Sequence, residues 1–334
     1  MSQKACPLGR ALVRVEQTLG GLAVFIFDAH IDTLSRLLDT GESLEQTSGH
    51  VNLSHLSRGS GAQFFAAFID PAYYHGLAMH RAMDMIDLFW QMLDAYSDNL
   101  VFAGSAEDIT RISNQGRLAS LLAIEGGEAL EGKLSSLRVF YRLGVRLITL
   151  TWNYRNDLAA GQFEGTDGGG LSRFGREVVA EMNRLGMLVD VSHLNEPGFW
   201  DVVQLSKDPV LASHSNARTL CDHPRNLTDE QIRALAERGG VIGVNFCPAF
   251  LAKSGQASID HVVEQITYLI KVGGADCVAL GSDFDGIYQT PEGLEDYSRI
   301  PELVGMLQEI GCSEALIEKV MGGNLLRICT EVLG

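Results

Sequence analysis

The sequence predicts a single (β/α)8 barrel, and three observations carry that expectation. Eight apolar, β-branched or aromatic runs recur along the 334 residues, at 24–28, 63–68, 118–124, 145–151, 187–192, 209–213, 241–246 and 277–281. Segments of helical period lie between them, the alternation expected of repeated βα units on a parallel sheet. No Pro/Ser-rich linker or charge block divides the chain, so one domain over residues 1–334 is expected, with 1–22 as an N-terminal extension. A doubly wound sheet would give similar local patterns, but eight strands without a boundary fit the barrel better.

The first strand is expected at residues 22–28. Lys4, Arg10 and Arg14 precede an apolar stretch there, but Glu16 interrupts it and no small-residue cleavage pattern follows, so it does not read as a secretion signal. No run reaches the roughly 20 apolar residues of a membrane span. After the run at 118–124, Leu130, Leu134, Leu137, Phe140 and Leu143 recur at helical spacing and stop at Gly144. Leu171, Phe174, Val178, Met182 and Leu185 repeat that design, with Gly186 where a C-capping glycine belongs. Thr228 and Gln231 have capping-box spacing ahead of Ile232 and Leu235, and Gly239-Gly240 follows as a stop. Val262, Ile266 and Leu269 supply the inward stripe of a helix over 259–272, with His261, Gln265 and Tyr268 on its outer face.

Composition narrows the partners. With 46% hydrophobic residues the chain can bury a large core, and 26 Lys plus Arg against 42 Asp plus Glu give a formal charge of −16. That balance argues against nucleic acid or an anionic membrane and leaves a small, cationic or metal-steered substrate. The six cysteines show no C-x-x-C spacing and read as reduced, packed thiols of a cytoplasmic protein.

The chemistry gathers at the ends of the strand-like runs, where barrel active sites form. His30 and Asp32 stand at i and i+2, which aims both side chains to one face of an extended segment. Glu125 closes the apolar Leu121-Leu122-Ala123-Ile124, where a lone carboxylate would be costly to bury without a partner, and Gly126-Gly127 lets the backbone turn away. His193, His214 and Asp283 follow three further runs. One such histidine alone is more often a hydrogen-bonded structural residue. Three of only nine histidines at strand ends, beside two aspartates and a glutamate, point instead to a metal centre. The nitrogen and oxygen donors suit Zn²⁺ or Mn²⁺. Three imidazoles and two carboxylates exceed what one catalytic zinc with an open position needs, which argues for two ions.

Competing motifs fail. Gly127-x4-Gly132-Lys133 resembles a phosphate loop, but Leu134 stands where Ser or Thr is needed. There is no G-x-S-x-G nucleophile elbow, and the glycines at 239–243 precede their strand. Cys221 near His223 lies in a turn-rich segment without strand support.

Six motifs, taken together and in order, carry a resemblance: Phe27-Asp28-Ala29-His30-Ile31-Asp32, Ala123-Ile124-Glu125-Gly126-Gly127, Asp190-Val191-Ser192-His193, Ser213-His214-Ser215-Asn216-Ala217, His223-Pro224-Arg225-Asn226 and Gly281-Ser282-Asp283-Phe284-Asp285-Gly286. With the closing Gly322-Gly323-Asn324-Leu325-Leu326-Arg327, the chain resembles the renal, or membrane, dipeptidase family of the amidohydrolase superfamily from about residue 25 to 330. The resemblance implies a homodimeric dipeptidase with two Zn²⁺ per chain. His30, Asp32 and a bridging Glu125 would hold one ion; Glu125, His193 and His214 would hold the other. A metal-bridging hydroxide would attack the peptide carbonyl, Asp283 would shuttle the proton, and Arg225 would bind the substrate carboxylate. None of the six lysines ends a strand-like run, in keeping with Glu125 serving where several relatives use a carboxylated lysine. One departure stands out. Mammalian members have a histidine near the scissile carbonyl where this chain has Trp152. Either Asn153, Tyr154 or Arg155 replaces it, or Trp152 shapes a pocket, with the Gly-rich loop 153–170 as a specificity element. Substrates of both L-Xaa-L-Xaa and L-Xaa-D-Xaa form stay open. Two other readings are a metal-dependent amidohydrolase acting on a lactone, cyclic amide or N-acyl amino acid, and a non-catalytic metal-binding barrel.

Overall fold

A computed structural model of the chain describes residues 18–19, 22–56, 61–73 and 76–334. Eight parallel strands form the barrel: β1 Ile26–Ile31, β2 Gly61–Phe68, β3 Leu118–Glu125, β4 Val145–Thr149, β5 Leu188–Asp190, β6 Leu211–Ala212, β7 Val241–Val244 and β8 Val278–Leu280. Each pairs with its sequence neighbours, and β8 returns to β1 at Leu280↔Asp28, which closes the sheet. The longest ladder joins β2 to β3, from Gly61↔Leu118 to Phe68↔Glu125.

Every expected run overlaps a strand, with corrected limits. The first begins at Ile26 and extends through His30 to Ile31, while Leu22–Ala23 pairs antiparallel with Thr18–Leu19. Val24 and Phe25 stay outside both ladders, and Phe25 instead packs against Gly322, where a Cβ would lie 2.7 Å from the Phe25 carbonyl oxygen. Most of the expected 1–22 extension falls outside the described residues. Between β1 and β2 the register passes from Asp28↔Gln63 to Ile31↔Phe65, three residues against two. This bulge flips the alternation, so His30 and Asp32 reach the inner face that Phe27 and Ala29 occupy lower down. A short strand, Leu100–Phe102, was not expected; it pairs with Leu118–Ser120 below the point where β4 joins β3 at Leu122↔Val145.

The helices follow their capping signals. Arg173–Leu185 starts at Ser172, whose side chain accepts from the Gly175 amide, and ends at left-handed Gly186 (φ 69°). Asp229–Glu237 has the full Thr228/Gln231 capping box. The expected helix from Leu130 is shorter, at Leu134–Arg142, because Glu131 (φ 47°) and Gly132 (φ 68°) break it from the preceding 3-10 turn. Within Ile259–Gly273, Gln265 is buried rather than outward, its Oε1 accepting from the Ala217 amide.

Phe27, Phe64, Leu121, Leu147, Leu188 and Val241 fill the lower barrel, with Leu325, Ile328 and Cys329 of the C-terminal helix Asn324–Val332 packed beneath them. Asn324 fixes that helix by donating from Nδ2 to the Ala275 and Val278 carbonyls. At about 25 cal/mol per Å² of apolar surface, this layer makes the barrel floor a stability element. The five cysteines among the described residues are free thiols, and Cys6 lies outside them. No helix of the described residues is long and apolar enough to cross a membrane.

Candidate metal centre

Six residues expected from the sequence converge at the C-terminal mouth of the barrel. His30 Nε2 lies 3.2 Å from Asp32 Oδ2, 3.5 Å from Glu125 Oε2 and 3.9 Å from Asp283 Oδ1. On the other side Glu125 Oε1 lies 2.9 Å from His193 Nε2 and 3.4 Å from His214 Nε2. Glu125 thus turns one oxygen to each half of the site. Two groups have ligand atoms close enough to share a cation: His30, Glu125 and His214, and His30, Asp32 and Asp283.

Local backbone brings these side chains together. Glu125 ends β3, and Gly126 (φ 109°) turns the chain away. His193 and Asp283 both adopt positive φ, 69° and 63°, an uncommon conformation for residues with side chains. Asp285 (φ 67°) locks the loop after β8 by accepting from the His50 amide and the Thr33 hydroxyl. Gly286 presses close: a Cβ there would fall 2.1 Å from Asp32 Oδ2.

Burial dominates the electrostatics. It lifts Asp283 to about 7, opposed by the charge of His30 and reinforced by Asp32 and Glu125. It presses His193 down to about 4, with Arg225 adding to the effect, and holds His214 well below the usual imidazole range, with His30 adding. Glu125 goes the other way: burial would raise it, but the His30 charge and the bonds from His193 and His214 keep it well below the carboxylate range. His30 itself is held well above its usual value by Glu125 and Asp32 despite burial.

The donor set fits a metal on tautomer grounds. Ser213 Oγ has one hydrogen, which it gives to Asp190 Oδ2 at 2.6 Å, so its 2.7 Å contact with His214 Nδ1 requires that nitrogen to donate. His193 Nδ1 likewise donates to Asn153 Oδ1 at 2.8 Å. Both neutral rings therefore turn Nε2 lone pairs toward each other, 2.8 Å apart, and toward a carboxylate oxygen. Three electron-rich atoms facing without a proton between them are the environment a cation satisfies.

The other expected site residues divide. Arg225 is buried, donates from Nη2 to the His214 carbonyl at 3.2 Å, and keeps Nε unpaired at the cleft. Trp152 lines the same cleft of about 590 Å³, its ring 5.5 Å from Phe68 and 6.1 Å from His193. Asn153 also lines it, but its side-chain oxygen is committed to His193. Tyr154 is exposed and packs edge-on against Phe163, and Arg155 donates to the Gly168 carbonyl, so both serve the loop. The loop itself is anchored by Asn195, which donates to the Gly165 and Gly169 carbonyls. Sequence reasoning missed Asn245, which donates to Asp283 Oδ2 at 2.9 Å, and the buried Asp28, Asp190, Ser213 and Ser282 behind the ligands. Aspartates two residues before a strand-end histidine or serine were the available signal.

The membrane dipeptidase (peptidase family M19) model matches residues 22–333. An uncharacterised dipeptidase of Schizosaccharomyces pombe is 39% identical over 298 residues, covering 84% of this chain and 72% of that protein. Dipeptidase tcpJ of Claviceps purpurea is 36% identical over 307 residues, covering 88% of this chain and 72% of that one. Among solved structures, a Rhodobacter sphaeroides metallopeptidase liganded with a phosphinate mimic of the dipeptide L-Ala-D-Ala aligns with TM-score 0.86 and 29% identity, covering 92% of this chain and 99% of that one. The M19 metallopeptidase named dipeptidase AC aligns with TM-score 0.88 and 31% identity, covering 93% and 99%. With groups that could hold a metal ion at its barrel mouth and a family match over nearly its whole length, this chain belongs to the membrane dipeptidase (M19) family of metallopeptidases.

Proposed function

We propose that the chain hydrolyses dipeptides with two Zn²⁺ bound, His30, Asp32 and Glu125 holding one and Glu125, His193 and His214 the other. The observation that carries this reading is Glu125, whose two oxygens face His30 on one side and the His193/His214 pair on the other. When bound, the ions supply Lewis acidity that lowers the pKa of water from about 15.7 toward 7.

The chain's own groups do the rest. Asp283 faces His30 through Oδ1 and is steadied at Oδ2 by Asn245. From there it takes the proton of the attacking water and passes it to the departing amine, work suited to a carboxyl that burial lifts to about 7. Arg225, which lines the cleft, offers its guanidinium to the substrate's terminal carboxylate, a planar fork matched to that group. A peptide with one residue beyond the scissile bond places its carboxylate there, which limits the length. Trp152 and Phe68 form an aromatic wall of the cleft and shape the pocket, while Asn153 serves His193. The L-Ala-D-Ala mimic on the Rhodobacter sphaeroides relative extends the reading to substrates whose second residue is D.

Turnover of a panel of L-Xaa-L-Xaa and L-Xaa-D-Xaa dipeptides by the Zn²⁺-loaded protein, set beside N-acetylated and C-amidated versions, tests it. Hydrolysis confined to peptides with both termini free is expected. Turnover of N-acyl amino acids or lactones in their place would assign a different amidohydrolase activity.

A further inference from the structure

Two buried aspartates outside the proposed ligand set make the same hydrogen-bonded unit. Asp28 Oδ1 accepts from the His30 amide (3.2 Å) and the Ser282 amide (2.9 Å), and its Oδ2 accepts from Ser282 Oγ. Asp190 Oδ1 accepts from the Ser192 amide (3.0 Å) and the Ser213 amide (2.9 Å), and its Oδ2 from Ser213 Oγ (2.6 Å) and Thr149 Oγ1 (2.6 Å). The first unit ties the end of β1, with His30 and Asp32, to the loop of Asp283. The second ties the end of β5, with His193, to the end of β6, with His214. Each half of the site has its own staple.

The two units differ in what they touch next. Ser213 Oγ accepts from His214 Nδ1, whereas His30 Nδ1 is buried and has no hydrogen-bond partner. We propose that Asp190 and Ser213 are positioning residues that fix His214 as the Nδ1–H tautomer, leaving Nε2 free to ligate. On this view Asp28 and Ser282 hold the other half by backbone position alone. A carboxylate can only accept, so Ser213 must spend its hydrogen on Asp190 and can receive only a donor from the imidazole. In Asp190→Asn the amide nitrogen donates to Ser213 or Thr149. Ser213 is then free to donate to Nδ1, and the imidazole proton moves to Nε2, which leaves no lone pair on the nitrogen that faces the site.

The proposal rests on the two-ion reading above, and its test separates the two. Long-range ¹H–¹⁵N spectra of ¹⁵N-histidine-labelled, metal-free protein report the His214 tautomer, with His214→Gln assigning the signal. Wild type and Asp28→Asn should show Nδ1–H; Asp190→Asn and Ser213→Ala should lose that preference. Zn²⁺ content by mass spectrometry of the reconstituted, dialysed proteins should then fall from about two per chain to about one in Asp190→Asn and Ser213→Ala. An unchanged His214 tautomer in both variants, or an Nε2–H tautomer in wild type, overturns the proposal, and Ser213→Ala keeps it testable should Asp190→Asn misfold. Wild-type protein that binds no Zn²⁺ yet shows the tautomer pattern would contradict the two-ion reading alone.

Discussion

The two halves of the metal centre are built from different chemistry. Around His30 gather Asp32, Glu125 and Asp283, three carboxyls to one imidazole. Around His193 and His214 there is one carboxylate oxygen, the Asn153 and Ser213 orienting groups, and Arg225 against the His214 carbonyl. In the first half burial, opposed by the charge of His30 and reinforced by Asp32 and Glu125, pushes one carboxyl, Asp283, into the range where protons exchange near neutrality. In the second half the rings are neutral and their tautomers fixed. On the proposed reading each half holds one ion, and the difference puts proton handling on the first side and substrate anchoring on the second.

Glu125 is the group the halves share, so Glu125→Gln should have the largest effect. Removing one partner from a buried charged cluster costs roughly 3–5 kcal/mol, and isothermal titration with Zn²⁺ should register weakening at both sites. Loss of a single site would mean that Glu125 serves only one ion.

Asp283→Asn sharpens the comparison because it should remove proton transfer while leaving the His193/His214 half intact. A fall in kcat of about 10²–10⁴ with little change in KM is expected from steady-state kinetics. The same variant should stabilise the metal-free protein at pH 8. A carboxyl held at about 7 in the fold against an ordinary 3.8 favours the protonated native state, so native stability falls as pH rises between those values and the cost is complete above about 7. The asparagine carries no such cost, and calorimetry should show a higher Tm for the variant at pH 8 and a much smaller difference at pH 4.

Arg225→Ala probes the anchoring side. A hydrogen-bonded charge is worth roughly 1.5–3 kcal/mol, so kcat/KM for dipeptides should drop about 10- to 100-fold, mostly through KM. A drop confined to kcat would move Arg225 into the chemical step. Trp152→His should have the smallest effect, about 10-fold or less in kcat/KM, and should shift side-chain preference across a dipeptide panel. Unchanged preference would remove Trp152 from the pocket's selectivity.

Much of this was legible in the sequence because strand ends are local features. The i, i+2 spacing of His30 and Asp32, the apolar run into Glu125, and the capping signals at Thr228 and Gly186 each need only a few neighbouring residues. The rest depends on partners far along the chain. Ser282, which completes the Asp28 unit, lies 254 residues away, and no periodicity announces it. The bulge that carries His30 inward shows only in the pairing of β1 with β2. Gln265 read as an outward polar residue because its acceptor role for the Ala217 amide, 48 residues off, is tertiary. Asn153 lines the cleft, but the engagement of its oxygen by His193, 40 residues on, is likewise tertiary.

The most direct test of the two-ion account is a titration of Zn²⁺ into metal-free protein while hydrolysis of one good dipeptide is followed. Activity that appears with bound metal and saturates at about two equivalents per chain is the predicted result. Saturation at one equivalent with full activity, or binding of two equivalents with no dipeptide of the panel hydrolysed, would contradict it.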